Sequence, residues 1–170
     1  MTAIEIFRKF SADKLRQLGG RIQVCLGKLN DDQIWSRVGP NENAVGNLVL
    51  HLCGNMRQWI GLSMAGLDDV RKRQEEFEAQ GGLSRAELSS RLSTAVEQAA
   101  AWIESAPEER FLATARVQSY DVTGLEAVYH VVEHFAEHTG QIIFVTKRMT
   151  GEDLAFYGHL KQTRHTEQTP

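Results

Sequence analysis

Apolar residues recur at spacings of three and four along most of this chain, and strand-like alternation is scarce. Ile4, Phe7, Ser11, Leu15, Leu18, Ile22, Leu26 and Leu29 form one such stripe, which predicts a first helix from about Thr2 to Leu29. After Gly39-Pro40, either Asn41 or Asn43 can cap a second helix running to about Leu62. Its apolar face holds Val45, Leu48, Val49, Leu52, Met56, Trp59 and Ile60. A third starts at the capping box Ser84-Arg-Ala-Glu87, with Leu83 and Leu88 as a hydrophobic staple, and continues through Leu92, Val96, Ala99 and Ile103 until Pro107. A second capping box, Thr123-Gly-Leu-Glu126, opens a fourth helix that reaches about Met149, before Gly151.

Four helices of this length predict an all-α chain built as a four-helix bundle. The short link between the first two favours antiparallel neighbours. The link from Ser63 to Gly82 is long and charged, so it can cross the bundle between helices two and three and has room for a short helix of its own. Residues 107–122 form another long link. The expected division is one helical domain over residues 1–160 and a polar, frayed tail over 161–170.

Composition narrows the function classes. At 170 residues the chain has room for one sizeable core, and a net charge of −3 with interspersed signs gives no basic stripe for nucleic acid. No stretch is long and apolar enough to span a bilayer, and MTAIEIFRKF lacks the apolar run of a secretory signal, so a cytoplasmic location is expected. Cys25 and Cys53 sit inside apolar helical patterns and read as buried free thiols rather than a disulfide or a nucleophile.

The chemistry concentrates in YHVVEHFAEHTGQII, residues 129–143, where His130, His134 and His138 lie four apart and H-x-x-E-H occurs twice. On a helical wheel of about 100° per residue, Ala127, Val131, Gln141 and Val145 cluster around His134 and His138, while Glu126, Glu133, Glu137 and Lys147 lie to one side. That places His134 and His138 inward, His130 at the rim and the glutamates in solvent. Leu125, Val128, Val132, Ala136 and Ile143 add an apolar face roughly opposite the histidines, fit for central packing or for a second subunit. A catalytic zinc site generally takes three protein ligands. Of the histidines elsewhere, only His51 lies within a core-facing pattern, since His159 and His165 are near the polar C-terminus. The expected metal set is therefore His51, His134 and His138. The rival reading, a zinc peptidase of the H-x-x-E-H type, calls for an acidic ligand downstream on a larger scaffold, and only Glu152, Asp153 and Glu167 follow.

His51 within NLVLHLCGN, followed by H-x-x-x-H-x-x-Q-I at His134, His138, Gln141 and Ile142, resembles the DinB-like superfamily over essentially the whole chain. The resemblance implies an up-down-down-up four-helix bundle holding one divalent ion, zinc or nickel, on residues matching His51, His134 and His138. Homodimers are common in that superfamily, and some members are transferases or isomerases that use a low-molecular-weight thiol such as bacillithiol or mycothiol. Two functions follow as expectations. The first is a metal-dependent enzyme, a thiol S-transferase or hydrolase, that activates a thiol cosubstrate or water against a small electrophile. The second is a non-catalytic metal-binding or stress-associated protein; a helical dimerisation module without metal is a weaker third. His130, Asn55 and Gln141 are candidates to orient a ligand, move a proton or hydrogen-bond near the metal.

Overall fold

A computed structural model describes residues 1–161 and Thr169. The expected tail, including His165, lies outside the described residues except at Lys161 and Thr169. The chain is mostly helical. Four long helices carry it: α1 (Ala3–Lys28), α3 (Val45–Ala65), α5 (Arg85–Ser105) and α7 (Gly124–Thr150). Short helices α2 (Asp31–Trp35), α4 (Arg73–Glu78) and α6 (Glu108–Leu112) lie in the links, and a hairpin of β1 (Thr114–Val117) and β2 (Tyr120–Thr123) precedes α7.

The boundaries follow local chemistry. Thr2, Ser84 and Thr123 cap α1, α5 and α7 in reciprocal boxes with Glu5, Glu87 and Glu126, which satisfies backbone N–H groups that the first turn leaves open. Helix α3 begins later than either asparagine predicted for its cap: Ala44 occupies the cap position, and its N–H donates to the Asn47 side chain at 3.1 Å. Gly66 ends α3 at φ 67°, a left-handed position suited to glycine, and Gly151 ends α7 likewise at φ 69°.

Helix α1 packs on α5 and α7, and α3 packs on the same two helices. The first two long helices are therefore not neighbours, contrary to the expectation from their short link. Helix α2 fills that link, and its Trp35 ring lies where any side chain at Gly46 would stand, only 2.8 Å from an added Cβ. Hydrogen bonds from Arg8 to the Ala106 carbonyl and from Gln23 to the Ser89 carbonyl run α1 antiparallel to α5. The C-terminal ends of α1 and α7 lie together, with Lys28 on Glu152. Helix α7 begins beside Met64 at the end of α3, so those two run antiparallel.

The core joins Leu15, Ile22 and Leu26 of α1 to Leu52 and Ile60 of α3, Leu92 and Ile103 of α5, and Val131, Phe135 and Ile142 of α7. Each stripe predicted from periodicity supplies it, and the four predicted wheel positions Glu126, Glu133, Glu137 and Lys147 are exposed. On the opposite face of α7, Val128 is buried and Leu125, Val132 and Ile143 are half-buried, whereas Ala136 is exposed. The long link over residues 107–122 carries structure of its own. It forms α6 and the hairpin, whose two-residue turn puts Gln118 and Ser119 at φ 49° and 70°, the twist a tight antiparallel connection needs. Among the described residues, no helix is long and apolar enough to cross a membrane.

Asn47, fully buried, holds the charged link onto the helices. Its amide accepts from Arg37 at 2.8 Å and donates to the carbonyls of Glu76 and Ala79 at 2.9 and 2.8 Å. Truncation would strand those carbonyls in the interior, so Asn47→Ala should cost about 1–3 kcal/mol of stability. Urea unfolding measures the loss, and hydrogen exchange should show residues 73–79 opening first.

Candidate metal centre

Antiparallel packing of α3 against α7 sets two ladders of side chains face to face. On α3, His51, Asn55 and Trp59 stand one turn apart; on α7, His138, His134 and His130 descend in the opposite sense. Their ring centroids confirm the rungs: His51 is 5.0 Å from His134 and 5.1 Å from His138, while Trp59 is 4.2 Å from His130.

His51, His134 and His138 each offer a ring nitrogen, and these three atoms lie within 4.8 Å of one another. His51 Nε2 and His134 Nε2 approach to 2.7 Å. His51 is buried, while His134 and His138 are half-buried, so the cluster reaches solvent on the α7 side. The other expected residues fall around it. His130 stacks nearly parallel to His134 at 5.5 Å and stays outside the converging set, as its rim position on the wheel implied. Gln141, exposed, accepts from His138 Nδ1 at 2.7 Å, which leaves the Nε2 lone pair of that ring free. Glu137 Oε2 stands 3.8 Å from His134 Nδ1, beyond hydrogen-bond reach.

The charged link supplies two residues that periodicity did not reveal. Glu76 of α4 is 3.2 Å from His51 Nδ1, and Arg71 grips the same carboxylate in two bonds of 2.8 and 2.7 Å. Arg71 Nη2 also approaches His51 Nδ1 at 3.0 Å, but its two hydrogens already have acceptors in Glu76 Oε2 and the His51 carbonyl. The arrangement that satisfies every donor has Nδ1–H donating to Glu76 and leaves Nε2 facing the cluster. A carboxylate behind the ring in this way fixes the tautomer and raises the basicity of a metal-binding imidazole. Gln58 extends the network, accepting from Arg71 at 2.9 Å and from Gln118 of the hairpin turn at 2.6 Å. Gly54 makes room for it all: a Cβ there would stand 2.0 Å from Glu76 Oε1.

Electrostatics keep the donors ready. Burial, reinforced by the neighbouring imidazoles and Arg71, drives the His134 pKa down to about 3, and burial lowers His51 and His130 as well. Burial works against the charged form of Glu76, but the bonds from Arg71 and His51 outweigh it and hold the group below its ordinary value. Burial thus favours the neutral form of His51 and His134, with a charged carboxylate behind the first, and together with His138 their ring nitrogens could hold a divalent ion.

A family model described as a protein of unknown function, DUF1572, matches residues 5–158. The chain belongs to this DinB-like family. Two solved structures share the fold. A DinB-like protein, YjoA of Bacillus subtilis, is 16% identical, covers 85% of this chain and 93% of its own, and superposes with a TM-score of 0.66. A conserved protein from Enterococcus faecalis is 15% identical over 89% of this chain and 99% of its own, with a TM-score of 0.70. Comparison with curated protein sequences finds no match.

A cavity of about 810 Å³ in this DinB-like chain opens on the other side of α3, between α4 and α5, and meets the site through Gly54 and Glu76 on its wall. Cys53 lines it with a thiol that burial pushes up to about 12, so it remains protonated; burial raises Cys25 too.

Two outcomes test this geometry. Gly54→Ala should drive Glu76 off His51 and weaken zinc binding by roughly 10–100-fold with an unchanged circular dichroism spectrum, as read by competition with a chromophoric chelator. In the metal-free protein the depressed histidines bind fewer protons than the unfolded chain below pH about 6.5, where unfolded imidazoles become charged. Stability should therefore fall as pH drops from about 6.5 toward 3, and His134→Gln should flatten the dependence of the denaturation midpoint on pH.

Proposed function

We propose that this chain is a divalent-metal-binding four-helix bundle protein of up-down-down-up topology, its single domain spanning residues 1–160. In this reading α3 and α5 are joined by the long crossover, and His51, His134 and His138 bind zinc or nickel. The convergence of three imidazole nitrogens within 4.8 Å carries the proposal. Three nitrogen ligands leave a coordination position free, the pattern of catalytic rather than closed structural sites.

A divalent ion bound there would supply Lewis-acid chemistry, lowering the pKa of a thiol or water in the free position. The chain's own residues do the remaining work. Glu76 and Gln141 hold the His51 and His138 rings in the tautomers that present Nε2, and Arg71 keeps Glu76 ionised. The half-exposed side of His134 and His138 admits the substrate. The activity we assign is transfer of a low-molecular-weight thiol, or of water, to a small electrophile, in a cytoplasmic protein acting as a homodimer.

One observation favours a second reading, a non-catalytic metal-binding or stress-associated protein: the 810 Å³ cavity is lined by none of the three histidines. Metal analysis of untagged protein decides the shared premise. About one zinc or nickel per chain is expected for the wild type, with loss from His51→Ala and His138→Ala and retention in His130→Ala. Equal, substoichiometric metal in all of them would defeat both readings. Conjugation assays with several cellular thiols then separate the two, and uniform inactivity of the metal-loaded protein would leave the second.

A further inference from the structure

Two polar groups beside the histidine cluster have no hydrogen-bond partner among the described residues. Asn55 is 3% exposed, and its Oδ1 is buried without a donor; Trp59 is 5% exposed, and its Nε1–H is buried without an acceptor. Leaving such groups unpaired in an interior is costly, so a ladder that keeps the two one turn apart calls for a ligand. His130 stands beside them, its ring centroid 4.2 Å from that of Trp59. All three continue the two ladders that hold His51, His134 and His138, away from the Glu76 side. The hairpin closes the far end, with Tyr120 at 6.4 Å from Trp59 and Gln118 bonded to Gln58.

We propose that Asn55, Trp59 and His130 form a recognition pocket for a neutral group that both accepts and donates hydrogen bonds, as a carboxamide does, next to the three-histidine centre. The chemistry of the partners sets the class. The Trp59 indole can only donate, so the ligand must offer an acceptor; Asn55 Oδ1 can only accept, so the ligand must also offer a donor. The buried cation beside His51, Arg71, is committed to Glu76, Gln58 and the His51 carbonyl. Nothing in the pocket itself therefore offsets the desolvation of an anion, which selects an amide over a carboxylate. Trp35 provides an internal contrast, since its Nε1 donates to the Leu83 carbonyl at 2.8 Å and has no need of a ligand.

The pocket rests on the reading of the neighbouring centre as a small-molecule site, and its test separates the two. Protein labelled with nitrogen-15, with and without zinc, is titrated with acetamide and with acetate while the tryptophan indole resonances are followed. Trp59→Phe identifies the relevant peak. Acetamide should move the Trp59 indole proton saturably in both forms, acetate should bind more weakly to the metal-free form, and the Trp35 peak should stay still. Acetohydroxamate, which adds a metal-binding oxygen pair, should bind the zinc-loaded protein, and Asn55→Ala should weaken it by about tenfold with zinc content unchanged. A Trp59 peak that no probe moves would mean an ordered water only and would overturn the pocket, as would equal affinity of Asn55→Ala for acetohydroxamate. If acetamide moves Trp59 but the protein takes up no zinc when zinc is supplied, the pocket stands and the metal reading falls.

Discussion

The site depends on one buried ion pair, Arg71 with Glu76, pressed against the back of His51. A carboxylate in the interior is costly unless a cation and hydrogen bonds compensate it, and Arg71 meets that need with a two-pronged grip while its own side chain is only 4% exposed. With its charge neutralised by Arg71, Glu76 can accept Nδ1–H from an uncharged imidazole. Remove Arg71 and the carboxylate would favour protonation, or draw a proton onto His51, and either change would spoil a nitrogen donor. The pair also explains why a glycine stands at position 54, where a methyl group would occupy the space of the carboxylate.

Around that pair, helix packing does the positioning. Because α3 and α7 run antiparallel, residues one turn apart on each make successive rungs, and the rungs change character along the groove. The His51 end is backed by charge, and its imidazoles converge. The Trp59 end is aromatic, closed by the hairpin and left with unsatisfied polar atoms. Metal-type chemistry and ligand recognition thus occupy consecutive turns of the same two helices. Rigid helices suit both, since backbone hydrogen bonds and the core stripe beneath fix each Cβ.

At 15–16% identity, the two solved relatives testify to the fold and to nothing finer. Helical periodicity survives such divergence because any apolar residue of suitable size fills a stripe. Much of the architecture was accordingly legible in advance: the four stripes, the capping boxes at Ser84 and Thr123, and the outward turn of Glu133 and Glu137. The wheel even separated His134 and His138 from His130, since a 3.6-residue period converts sequence position directly into direction.

Periodicity is local, and what it could not reveal is non-local. Nothing in DDVRKRQEEF distinguishes a solvated charge run from one that buries Arg71 and Glu76, because burial there depends on Asn47 reaching across to the carbonyls of Glu76 and Ala79. Trp59 read as an ordinary core residue, and its indole becomes notable only once His130 lies opposite and no acceptor does. The Gln118-Ser119 turn lacks the asparagine–glycine signature of a hairpin, so β1 and β2 left no trace in the pattern. The sequence by itself determined the helices and which face of each is apolar, because a helix turns composition into geometry over a few residues. Only the tertiary structure decided which polar groups meet, since distances between residues far apart in the chain are set by how those faces pack.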